Sequence, residues 1–138
     1  MHPTSLELTF VPTPHRFRVQ GQTFYTWCAL DALTYPALLQ LTACVESSCP
    51  VSGAPVTLSV TPTSVHDLAP ASAIVSLVIP KHGSSCNGDR SSFCNRSLFF
   101  RSRRDALIWQ ASSPRARLLS VADAYQVGRL IARSRYPS

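Results

Sequence analysis

The stretch Phe24–Leu33, FYTWCALDAL, sets a cysteine and an aspartate three positions apart inside an otherwise apolar run. A carboxylate among apolar side chains is costly unless something partners it, and this chain has only seven acidic residues to place. Over TFYTWCALDALTYPALLQL, Trp27, Leu30, Ala32–Leu33, Ala37–Leu38 and Leu41 recur near the helical period. The spacing predicts a helix with Thr23 or Thr26 as its N-cap. Pro36 is expected to kink or split it, because proline lacks the amide donor and restricts Tyr35 before it. On such a helix Cys28 and Asp31 share a face.

To either side the pattern changes. LELTFV (Leu6 to Val11) and HRFRV (His15 to Val19) alternate apolar with polar residues, as half-buried strands do, with PTP and QGQ as turns. TACVES, VTLSV and AIVSLVI read as three further strands. A polar loop, Pro80 to Ser92, precedes a short strand SLFF. RSRRDALIWQ is a short helix with Ala106, Leu107 and Trp109 inward, and ARLLS adds a strand. SVADAYQVGRLIARSRY opens on a capping box at Ser120 and Asp123 and carries one apolar stripe. Strands and helices mix without regular alternation. The expectation is therefore an α+β fold, a mixed or antiparallel sheet packed with a few helices.

Composition bounds the function. The 138 residues suit a single domain, and 45% hydrophobic against 14% charged residues excludes a disordered chain. No apolar run reaches the roughly 18 residues of a membrane span, and MHPTSLELTF lacks the basic and apolar regions of a secretory signal. A cytoplasmic protein with no membrane partner is expected. The net charge is +6, with ten arginines from Arg90 onward against Asp105 and Asp123. No helix-turn-helix, zinc-finger or aromatic-interleaved motif accompanies them, so the reading is a solvated face rather than a nucleic-acid interface. His2, His15, His66 and His82 share no spacing and are expected on loops. Five cysteines in a cytosolic chain argue against a disulfide scaffold, and none forms a C-x-x-C pair.

The thiols are then core filler or chemistry. The free amides at a helix start favour a thiolate at Cys28, whereas a neighbouring carboxylate raises its proton affinity. Such a pair can share one proton while the sulfur grips a soft metal. Equally, Cys28 could be a small buried residue beside a capping aspartate, and Cys94 in SSFCNRSLFF an inert buried thiol. The residues alone leave both readings open.

FYTWCALDALTYPALL, then VESSCPVSGAPVTLSVTP, then AIVSLVIP, and SFC leading into LFF, occur in an order that resembles the catalytic domain of the organomercurial (alkylmercury) lyases. The resemblance runs from about Leu6 to SVADAYQVGRLI. It implies one alkylmercury-lyase-like domain over residues 1–138, with the family's N-terminal winged-helix-like domain absent. It further implies carbon–mercury cleavage by protonolysis, in which Cys28 and Cys94 bind mercury and Asp31, beside them at the metal, donates the proton. Cys49 falls on a supporting family cysteine. Cys86, in the polar loop, is a candidate extra ligand. No cofactor is implied: mercury(II) is the bound product, handed to cellular thiols or a mercuric reductase. Two alternatives stand beside this: a same-fold enzyme recruited to another substrate in a biosynthetic pathway, and a non-catalytic mercury or copper binder.

Overall fold

The computed structural model describes residues 8–78 and 97–135. A five-stranded antiparallel sheet of order β2-β1-β3-β4-β5 is built from β1 His15–Val19, β2 Gln22–Thr26, β3 Ala43–Ser48, β4 Pro55–Val60 and β5 Val65–Ala69. A second antiparallel sheet, β7-β6-β8, comprises β6 Ile74–Leu77, β7 Phe99–Phe100 and β8 Arg117–Ser120. Three helices, α1 Ala29–Leu39, α2 Arg103–Gln110 and α3 Val121–Arg135, complete the described residues. The fold is α+β, as the sequence predicts, and every strand pairing is antiparallel.

The large sheet follows from period-two alternation. In β1, β3 and β4 every second residue is buried. Register then lines up Phe24, Phe17, Val45 and Leu58 as one apolar row across four strands. That row joins Leu30 and Leu33 of α1, Val75 and Phe99 of the small sheet, and Val121, Ala124 and Tyr125 of α3 in one core. A smaller cluster of Cys49, Ile74, Phe100 and Ala106 lies under α2, with Trp109 against Phe100 at 5.2 Å between ring centres.

The structure departs from the sequence reading at several elements. Gln22–Thr26 is strand, not helix. Gln20 and Gly21 take φ of 50° and 78°, the two left-handed residues of a tight hairpin turn, which folds β2 back onto β1. The helix therefore starts only at Ala29, and its N-cap is Cys28 rather than a threonine. Thr26, still in the strand, donates its hydroxyl to the Cys28 carbonyl at 2.9 Å. Pro36 does not divide the helix, which runs unbroken to Leu39. Gln40 in the left-handed region then ends it, its N–H bound to the Pro36 carbonyl. Of Leu6–Val11, the described part forms only an isolated bridge, Thr9 to Tyr25. β5 was not foreseen: VHDLA is polar, bulged against β4 and half exposed. The Ser120 cap is present, the Asp123 amide donating to Ser120 Oγ at 3.1 Å.

His15 is a correction with a thermodynamic consequence. It is not on a loop but in β1, 2% exposed, with Nδ1 2.9 Å from Ser47 Oγ. Burial lowers its pKa to about 4 from 6.5, so the folded state holds a neutral ring that the unfolded chain protonates below 6.5. Stability is complete above pH 6.5 and falls as pH drops toward 4, by about 3 kcal/mol over that range. Urea titrations across this window should show that slope in the wild type and a shallower one in His15→Gln, which keeps a polar partner for Ser47 but carries no proton switch. Equal slopes would mean that other groups govern acid unfolding.

The two long helices meet at Gly128. A β-carbon there would sit 2.9 Å from Thr34 Oγ1 and 3.4 Å from the Leu33 carbonyl. Thr34 is buried and its hydroxyl donates to the Leu30 carbonyl at 2.8 Å, so it has nowhere to swing. Alanine gains about 1 kcal/mol of helix propensity but overpacks the contact by about 1–3 kcal/mol. Gly128→Ala should therefore lower the thermal midpoint, and a raised midpoint would show that the helices part without cost.

Candidate active site

β2 ends at Thr26, and the chain passes through Trp27 and Cys28 into α1, so the strand-to-helix junction sets the thiol. Cys28 is fully buried. Its φ of −150° and ψ of 167° are extended, which points the residue at the first-turn amides, as an N-cap does. Asp31 is then the N3 residue. Cys-x-x-Asp reproduces the spacing of a capping box, in which the N-cap side chain meets the N3 amide and the N3 side chain reaches back. The Asp31 carboxyl and amide and the Leu30 amide all act on the Cys28 sulfur, although no bond of full cap geometry closes. Asp31 itself is partly exposed rather than buried.

The balance of forces on the thiol is lopsided. Burial pushes its pKa well up, and the negative charge of Asp31 pushes in the same direction; the Asp31 and Leu30 amides pull back more weakly. The thiolate-favouring helix start is therefore outweighed. Burial and the neighbouring carboxylate thus keep the thiol protonated near neutral pH.

The other sequence-predicted residues divide. Cys94 and Cys86 lie outside the described residues. Cys49 is buried but remote in role: its thiol donates to Asp105 Oδ2 at 3.5 Å, and Asp105 also receives Arg101 Nε at 3.5 Å. It ties the β3–β4 turn to the first turn of α2, which fits a supporting residue. Cys44 is exposed on β3. Among the described residues no group of three His, Cys, Asp or Glu side chains is arranged around one point.

Ser97 is the residue that sequence reasoning missed. It is fully buried; its carbonyl accepts the Ala29 amide at 2.8 Å and its hydroxyl accepts the Leu30 amide at 3.1 Å. No local pattern could signal a cap supplied from the far end of the chain. A separate open groove of about 800 Å³ between α2 and β8 is lined by Arg103, Arg115 and Arg117 with Leu107 and Gln110. Its lining offers no nucleophile or acid.

Cys28 at the N-cap position of α1 and Asp31 in its first turn thus set a buried thiol and a carboxyl together at one helix start. The alkylmercury lyase family profile matches residues 8–133, and the chain belongs to that family. It is 47% identical over 126 residues to the alkylmercury lyase of Streptomyces lividans, covering 91% of this chain and 57% of that protein. The Bacillus cereus alkylmercury lyase is 43% identical over 126 residues, covering 91% and 56%. The chain thus spans a little over half the length of the curated relatives it matches. Among solved structures, the mercury-bound form of MerB2 superposes with a TM-score of 0.76 at 21% identity, over 91% of this chain and 61% of that one. This last likeness is one of fold. Among the described residues, no helix is long and apolar enough to cross a membrane.

Proposed function

We propose that this chain, acting as one catalytic unit, cleaves carbon–mercury bonds by protonolysis. The observation that carries the reading is the buried Cys28 thiol coupled to the Asp31 carboxyl, in a chain of the alkylmercury lyase family. The Cys28 and Cys94 thiols displace X from R–Hg–X and form two sulfur–mercury bonds, the Cys28 proton passing to the Asp31 carboxylate and the Cys94 proton leaving with X. Thiolates are the soft donors that mercury(II) prefers. The added electron density weakens the carbon–mercury bond, and its electron pair takes a proton from the Asp31 carboxyl. The products are R–H, dithiolate-bound mercury(II) and the Asp31 carboxylate; mercury keeps its oxidation state, and no cofactor enters. Two cellular thiols, or a mercuric reductase in the cytoplasm, then exchange the metal off the protein.

The covalent chain supports the pairing of the two cysteines. In sequence Cys94 stands three positions before Ser97, whose carbonyl and hydroxyl take the first two amides of α1. The direct test is phenylmercury with excess thiol and detection of benzene. Benzene released over many turnovers, and lost in Cys94→Ser, is the expected result. Mercury held without benzene would identify a carrier, and neither binding nor release would point to a recruited enzyme with another substrate.

A further inference from the structure

A thiol is a poor cap. N-cap positions favour Ser, Thr, Asp or Asn, whose oxygen takes the N2 or N3 amide, and a helix start without acceptors leaves buried donors unmet. α1 opens on Cys28 with no cap bond from its side chain, yet its first two amides are both satisfied, by the Ser97 carbonyl and hydroxyl. Ser97 is in turn fixed from behind. The Leu98 amide donates to Ser76 Oγ and the Ser76 amide donates to the Leu98 carbonyl, each at 3.0 Å. Ser76 lies on β6 and is fully buried. A line of four hydrogen bonds thus runs from the small sheet through Ser97–Leu98 to the start of α1.

We infer that Ser97 is a positioning residue of the site: it caps α1 from another segment, so that the first two amides of the helix do not depend on the Cys28 sulfur when that sulfur takes a ligand. The inference rests on the proposed lyase reading for its purpose and on this geometry for its substance. If the sulfur itself capped the helix, seating a metal on it would strip the first turn of its acceptor and shift Asp31 with it. With Ser97 in that role, α1 keeps both bonds whether or not the sulfur is engaged, and Asp31 holds its place relative to Cys28 through the reaction.

Two measurements decide it. In Ser97→Ala, kcat for benzene release from phenylmercury should fall about tenfold with KM changed less than about twofold, as expected when alignment rather than binding is lost. An unchanged kcat overturns the inference. In the wild type, amide hydrogen exchange at Leu30 should be as slow as in the α1 interior and should stay so when mercury(II) is added. Rapid exchange at Leu30, or protection lost on adding mercury(II), overturns it and makes the sulfur the true cap. The exchange arm needs neither the variant to fold nor the lyase reaction to occur. Absence of benzene from the wild type would defeat the lyase reading while leaving the Ser97 clamp to be judged on its own.

Discussion

Asp31→Asn is expected to bind an organomercurial and fail to release hydrocarbon, with a rate about 10²–10⁴-fold below the wild type. The carboxamide keeps the size and the N3 position but has no proton acidic enough to give to a departing carbanion. Binding should not suffer. The Asp31 charge raises the Cys28 pKa, so removing it makes the thiolate easier to form near neutral pH, and the first sulfur–mercury bond forms no less readily. A single-turnover experiment separates the two steps: mercury co-eluting with the variant on gel filtration, with benzene measured in the headspace. Benzene at the wild-type rate would place the proton donor elsewhere. Loss of both mercury and benzene would make Asp31 a ligand rather than an acid.

Cys28→Ser is expected to fold and to do nothing. An oxygen in place of sulfur is a hard donor with little affinity for mercury, and activity should fall by about a thousandfold or more, as when a nucleophile is removed. The fold should tolerate the change better than most buried substitutions. Serine is a favoured N-cap, and with Asp31 at N3 it makes the same Ser-x-x-Asp box that opens α3 at Ser120 and Asp123. The cap gain, about 1 kcal/mol, offsets a burial loss of similar size. Thermal melts should therefore agree within a few degrees while benzene release disappears. A folded Cys28→Ser protein with more than about a tenth of the activity would mean another thiol bears the mercury.

Much of this was legible in the sequence. Period-two alternation in His15–Val19, Ala43–Ser48 and Pro55–Val60 specified three of the five strands of the large sheet, because one face must be buried and the other wet. The Ser120 box and the apolar stripe behind it marked α3. The proximity of Cys28 and Asp31 was legible too, since three residues bring side chains together on a helix face or across a cap. What was not legible was which of these it is. Phe24 and Trp27 continue an apolar pattern that a helix could use, and only the left-handed pair at Gln20–Gly21 forces that segment into a hairpin. Moving the helix start to Ala29 turns Cys28 from a helix-face residue into a cap. Non-local facts stayed hidden for the same reason: the Ser97 bonds to Leu30 and Ala29 join positions 67 and 68 apart, and His15 meets Ser47 from another strand.

Cys44 carries a consequence for anyone counting metal. It stands exposed on β3 while Cys28 and Cys49 are enclosed, so it is open to any mercurial in solution. Stoichiometric titration of the wild type should then register an equivalent that never reaches the pocket, quickly filled and quickly returned to competing small thiols. A Cys44→Ser background removes that decoy, and the equivalent that survives a dithiol wash is the one that reports on the reaction.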